Sequence, residues 1–188
     1  MIDEIFDSLL LLKNSMGNIR INKVATFFTI TDKIETNVTE LMQTLKMNQP
    51  GVFRHVHTLK RLGLVTSHNA KGNGRGFVIK PASKGTELSN TIKKELNNKP
   101  IIPALEILMT QNKEMPLNHA LVLFCLAKEP NTIYEISKST QINLRTIYGC
   151  METLEQKLLI DTFMTDHSKT KMIHLSNSTR LPTTYNLL

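Results

Sequence analysis

A chain of 188 residues that is 40% hydrophobic carries enough apolar side chain for compact cores, which excludes wholesale disorder. Its formal charge of +7 and pI near 9.5 point to a polyanionic partner, nucleic acid before membrane. No apolar run approaches the roughly 20 residues of a spanning helix, and the short 9–12 leucine run follows acidic rather than basic residues, so neither a membrane nor an export segment is expected. Two cysteines make no disulfide framework, and a cytoplasmic location fits them best.

Ile2, Ile5, Phe6, Leu9 and Leu12 keep helical spacing, so the chain opens on an amphipathic helix that Gly17 and Asn18 break. A second helix is expected over residues 22–32, turning Val24, Phe27, Phe28 and Ile34 inward. A third covers Val38–Leu45. Asn48 then caps a fourth that reaches Leu62, where Gly63 supplies the left-handed residue a helix end requires. Residues 64–66 and 77–79 read as strands flanking a turn-rich hairpin tip, 70–76. A helix over 83–97 follows, and the Asn97-Asn98-Lys99-Pro100 run reads as a domain boundary. Beyond it, helices are expected at 103–110 and Leu117–Lys128, then a helix–turn–helix over 132–140 and 143–158. Strands at 159–164 and 172–175 come next, and the tail 176–188 reads as loosely attached.

The chain repeats itself. Moved forward by 95 positions, residues 38–65 fall on 133–160 without a gap. Val38, Leu41, Met47, Val52, Val56, Leu59 and Leu64 then meet Ile133, Ile136, Ile142, Ile147, Met151, Leu154 and Leu159. Coincident apolar positions imply that one core is built twice. The expected fold is mainly α with small β-hairpin wings (α+β): two tandem winged helix–turn–helix domains, 1–97 and 98–188 with its tail. Charge is lopsided between them. Residues 1–97 hold 14 Lys+Arg against 8 Asp+Glu, a net of +6, and the remainder 9 against 8, a net of +1.

In such a motif the second helix is shaped for the DNA major groove. With Val52, Val56 and Leu59 inward, Pro50, Arg54, His57 and Arg61 lie opposite, flanked by Gln49, Gly51, Phe53 and Thr58. Gln49 and Arg54 suit base edges or phosphates, and Lys60 and Arg61 suit backbone phosphates. At the hairpin tip, Arg75 between two glycines, with Lys71 and Asn73, suits a narrow minor groove. The second copy changes the face. Arg145 and Tyr148 point outward with Asn143, Leu144 and Thr146 around them, and Lys169 and Lys171 lie on its hairpin. Glu152 stands on the same outward face, where phosphates would repel it unless it accepts from a cytosine. This copy is read as a weaker DNA contact or as a protein-interaction module.

Residues 37–88 resemble the multiple-antibiotic-resistance repressor (MarR) family of bacterial regulators. The likeness is carried by Val38-Thr39-Glu40-Leu41, by Val52-Phe53-Arg54-His55-Val56 with Leu59 and Leu62-Gly63-Leu64-Val65, and by Gly74-Arg75 followed by Ser83-Lys84-Gly85-Thr86-Glu87-Leu88. The resemblance implies a transcriptional repressor or activator that binds palindromic operators on double-stranded DNA as a homodimer. The chain departs from the family at Asn73, where Asp is common, and in carrying two winged helices, which leaves the dimer arrangement open.

No P-loop, dinucleotide fingerprint or catalytic set is present, so neither an enzyme nor a cofactor is expected. His55 and His57, two apart on a helix, cannot share a metal, and no Cys/His spacing suits zinc. Cys125 and Cys150 read as core. Two alternatives stay open: a plasmid-type replication initiator binding origin repeats, and a winged-helix protein-interaction scaffold. RNA polymerase or another regulator is the partner considered for domain 2.

Overall fold

In a computed structural model, residues 2–69, 77–164, 171–179 and 181 are described. The described chain is mainly helical with small antiparallel sheets. Its packing forms two compact units, Asn22–Leu105 and Met1–Ile21 with Glu106–Leu188. The division differs from the boundary expected at Asn97, and the first helix shows why. α1 (Ile2–Met16) lays Ile5, Phe6, Leu9, Leu12 and Met16 against α7 (Leu117–Lys128), so its apolar stripe is satisfied by the second half of the sequence. Lys128 pairs with Asp3 at 2.6 Å across that contact.

The unit Asn22–Leu105 is built from α2 (Ile21–Thr31), β1 (Thr36–Asn37), α3 (Val38–Leu45), α4 (Gln49–Arg61), β2 (Val65–Asn69), β3 (Phe77–Pro81) and α5 (Ser83–Glu95). α6 (Ile102–Gln111) spans the division between the units. α2 buries Val24, Phe27 and Phe28, as its spacing predicts. Ile34 does not follow them. The helix stops at Thr31, and Ile34 lies in the turn beyond it, 90% exposed. The Asn37 side chain caps α3 by accepting from the Glu40 amide at 2.9 Å. Lys46 then takes a left-handed conformation (φ 49°) and opens the turn into α4.

β1 joins the sheet in the order β1-β3-β2, all antiparallel, with Thr36 opposite Ile79 and Ser67 on the other side of Ile79. Two residues carry no periodicity, so sequence reasoning misses this strand. Gly63 ends α4 in the left-handed region (φ 71°), as expected. Gly85 has a sterner duty: a Cβ there would lie 2.0 Å from the Leu64 carbonyl oxygen, so the start of α5 passes backbone to backbone over the turn that joins α4 to β2.

The other unit adds α7, α8 (Ile133–Thr140), α9 (Leu144–Gln156), β4 (Ile160–Met164) and β5 (Lys171–Leu175) to α1. α7 is its central helix, with Leu117 and Ala120 through Leu126 all buried. Thr132 and Glu135 cap α8 reciprocally. α8 and α9 begin and end 95 residues after α3 and α4, and Gln141 (φ 53°) stands 95 residues after Lys46. β4 follows β2 at the same interval, and Asn131 bridges Ile173 as Thr36 pairs Ile79. The described part of the tail is tied down, contrary to expectation. Thr179 Oγ1 donates to the Leu159 carbonyl at 2.6 Å, and Leu181 is buried.

Candidate nucleic-acid interface

α4 starts where Asn48 turns its side chain to accept from the Gly51 amide at 3.0 Å. Gly51, expected on the outward face, is buried: a Cβ would meet Asn48 Oδ1 at 2.8 Å and the Met47 methyl at 3.0 Å. Its role is to let the cap close. From there the inner face runs Val52, His55, Val56 and Leu59, all buried. His55 is the polar member, and its Nδ1 lies 2.8 Å from Thr26 Oγ1 on α2. The Thr26 hydroxyl gives its proton to the Asn22 carbonyl, which leaves the ring to donate through Nδ1. Sequence reasoning names His55 in the family likeness and excludes it from a metal pair with His57, but does not place it in the core. Its position three residues after Val52 and four before Leu59 is the signal that it belongs to the anchoring face.

Gln49, Pro50, Phe53, Arg54, His57, Lys60 and Arg61 are exposed on α4. Three of the predicted contacts have local duties. Phe53 packs edge-on against Phe77 at the base of the hairpin, ring centres 5.5 Å apart. Thr58 is half-buried and donates to the Arg54 carbonyl at 2.9 Å, so its hydroxyl turns back onto the helix. Lys60 reaches Ser67 Oγ on β2 at 3.2 Å, which holds its cation beside the hairpin. Lys71, Asn73 and Arg75 lie outside the described residues.

The electrostatics sharpen once charge is counted by compact unit. Asn22–Leu105 holds 13 Lys+Arg against 5 Asp+Glu, a net of +8, and the other unit 10 against 11, a net of −1. Three of the five carboxylates are paired on other elements: Glu35 with Lys80 (2.9 Å), Glu40 with Lys33 (3.1 Å) and Asp32 with Lys93 (2.8 Å). Hydrogen bonds from Thr36 and Lys33 hold the Glu40 carboxyl below its ordinary value, so that group stays ionised. α4 contains no carboxylate, and among the described residues none lies within 4 Å of Arg54, Lys60 or Arg61. The result is a helix anchored by its buried face, with cations on its solvent side that no described carboxylate compensates.

α9 repeats the geometry with different chemistry. The Asn143 side chain accepts from the Thr146 amide at 2.9 Å, and Leu144, Arg145 and Tyr148 are exposed, whereas Thr146 is half-buried. Lys171 faces Glu155 at 3.9 Å, so its charge is partly answered within the unit. Lys169 lies outside the described residues. Large apolar side chains mark this unit's surface: Tyr134, Leu144, Tyr148, Leu158, Phe163 and Met164 are all exposed. Among the described residues no group of three or more His, Cys, Asp or Glu is arranged to hold a metal, and no helix is long and apolar enough to cross a membrane.

Comparison with protein families and with curated proteins finds no match to this chain. Solved structures do overlap it. A transcriptional regulator homologue from Pyrococcus horikoshii OT3 is 15% identical, with a TM-score of 0.41 over 50% of this chain and 91% of that one. Wild-type MarR from E. coli, in its apo form, is 19% identical, with a TM-score of 0.40 over 68% of this chain and 90% of that one. ScpB from Mycobacterium tuberculosis is 13% identical, with a TM-score of 0.30 over 94% and 92%. Overlap at this level identifies no family, and the functional reading rests on the residues.

Proposed function

We propose that this chain is a sequence-specific, double-stranded-DNA-binding transcriptional regulator that docks through α3, the turn at Lys46 and α4. The outward face of α4 carries the reading: Arg54, Lys60 and Arg61 without an opposing carboxylate among the described residues, on a helix held from behind by Val52, His55, Val56 and Leu59. Arg54 offers a guanidinium to a guanine edge, with His57 beside it on the same face and Gln49 at the start of the helix, while Lys60 and Arg61 take backbone phosphates. The hairpin between β2 and β3 follows toward the minor groove, with Lys71, Asn73 and Arg75 as its contacts. Regulation is by occupancy, the bound protein blocking or recruiting polymerase in the cytoplasm.

The 95-residue register of α3, α4 and β2 with α8, α9 and β4 supports a tandem pair of winged helices. The second of the pair has a different task. Exposed Leu144 and Tyr148 beside Glu152, in a unit of net charge −1, favour a protein contact over phosphates.

Binding-site selection from fragmented DNA, followed by titration over a salt series, tests the proposal. With about five phosphates neutralised, log K falls against log salt with a slope of roughly −4 to −5. Arg54→Ala costs about 1–3 kcal/mol and relaxes preference at one base pair, whereas Arg61→Ala weakens all sequences evenly. An affinity indifferent to salt between dilute and physiological buffer overturns the reading.

A further inference from the structure

α9 carries four exposed residues on one stripe that the chain itself does not use: Arg145, Tyr148, Gly149 and Glu152. Their spacing of three, four and seven places them within about a third of the helix circumference. Arg145 stands in the first turn, where a helix favours an acid rather than a base. Neither Arg145 nor Glu152 has an ion-pair partner among the described residues. Seven residues apart, they are separated by about 10 Å along the axis, too far to answer each other. Gly149 is equally unexplained by the chain. A Cβ added there meets nothing within 4 Å, yet a helix-interior glycine costs about 0.5–1 kcal/mol against alanine.

All three oddities are resolved by one symmetry operation. We infer that α9 packs antiparallel against α9 of a second copy of this chain, about a two-fold axis between Tyr148 and Gly149. In that register residue numbers facing each other sum to 297. Arg145 of each copy meets Glu152 of the other, Tyr148 lies over Gly149, and Leu144 faces Thr153. Two ion pairs form from groups that have none among the described residues, and the missing side chain at Gly149 becomes the seat of a tyrosine ring. The face is thus self-complementary, as a two-fold interface must be. Charge favours the same choice. The unit that bears α9 has a net charge of −1, so the surface around the helix adds no strong like-charge repulsion of its own. A single helix pair buries less than the roughly 1,200 Å² of a standard stable interface, so the dimer is concentration-dependent.

The test uses the full chain without DNA, so its result is independent of the DNA-binding proposal. Sedimentation velocity over a concentration series up to a few hundred micromolar is run on wild type, Arg145→Glu, Glu152→Arg and a 1:1 mixture of the two variants. Each single variant sets like charges opposite each other at both contacts and weakens association at least tenfold. In the mixture, a chain with acids at both positions faces a chain with bases at both. Both ion pairs are restored, and a heterodimer forms at about wild-type strength. Circular dichroism spectra matching wild type establish that both variants are folded. A wild type that stays monomeric throughout, single variants that dimerise like wild type, or a mixture no more associated than its components would each overturn the inference.

Discussion

Gly63 and Leu158 hold the same left-handed position, φ 71° and 56°, one residue past the capping residues that close α4 and α9. Glycine adopts it freely, and a leucine there works against its own Cβ. Leu158 is 71% exposed, so little burial repays that cost. Leu158→Gly is therefore expected to raise stability by up to about 1 kcal/mol, and Gly63→Leu to lower it by about 1–2 kcal/mol, in urea unfolding. A Leu158→Gly variant less stable than wild type would mean that the exposed side chain has a partner.

Glycine-to-alanine substitution should change sign along the chain. At Gly85 the new methyl meets the Leu64 carbonyl oxygen, which also accepts from the Ala82 amide at 3.0 Å, so neither backbone segment has room to yield. A loss of about 3 kcal/mol is expected. At Gly149 the methyl meets open space, and helix propensity predicts a gain of about 0.5–1 kcal/mol in dilute protein. Thermal unfolding of the two variants at low concentration checks both signs.

Acid should loosen the helix starts at α3 and α8. Glu40, hydrogen-bonded by Thr36 and Lys33, and Glu135, hydrogen-bonded by the Thr132 amide and hydroxyl, are both held below the ordinary value of 4.5. A carboxyl whose pKa is lowered by folding contributes stability above its unfolded value, and that contribution is lost as pH falls through the folded one. Wild type is expected to lose stability from about pH 4.5 downward. Glu40→Gln and Glu135→Gln, less stable at neutral pH, should show a shallower acid slope. Parallel curves would mean that these contacts do not persist in solution.

Neither thiol should react in the folded protein. Burial raises both, Cys150 to about 11, which leaves it roughly a hundredfold less thiolate than an ordinary cysteine near neutral pH. Alkylation at pH 8 is expected to follow the rate of unfolding, with both groups labelling together in denaturant. Rapid modification of one cysteine under native conditions would show that its helix opens locally.

The elements that follow from apolar spacing and capping residues were legible in the sequence. α3, α4, α8 and α9 lie close to where Val38, Asn48, Thr132 and Asn143 announce them, and Gly63 takes the backbone angle its position demands. What depends on distant partners was not. α1 shows an apolar stripe but no hint that α7, a hundred residues on, covers it. β1 is two residues whose pairing is decided by β3, and Ile34 lost its place inside because the helix ended three residues earlier. On the candidate face, helical phase separates Arg54 from Val56. It does not reveal that Gly51 is pressed against its own cap or that Thr58 bonds back to Arg54. Those depend on distances of an ångström, which periodicity cannot resolve.

The uneven charge of the two units bears on how the protein arrives as well as on what it holds. A polyanion's field acts beyond contact range, to about 10 Å at 0.1 M salt, and here it pulls on one unit and leaves the other nearly indifferent. On the DNA-binding reading proposed above, the basic unit is turned toward the polyanion before contact, which favours collisions in which α4 can dock. On that reading, added salt is expected to slow capture far more than it speeds release, because release would be set by the short contacts of the docked helix.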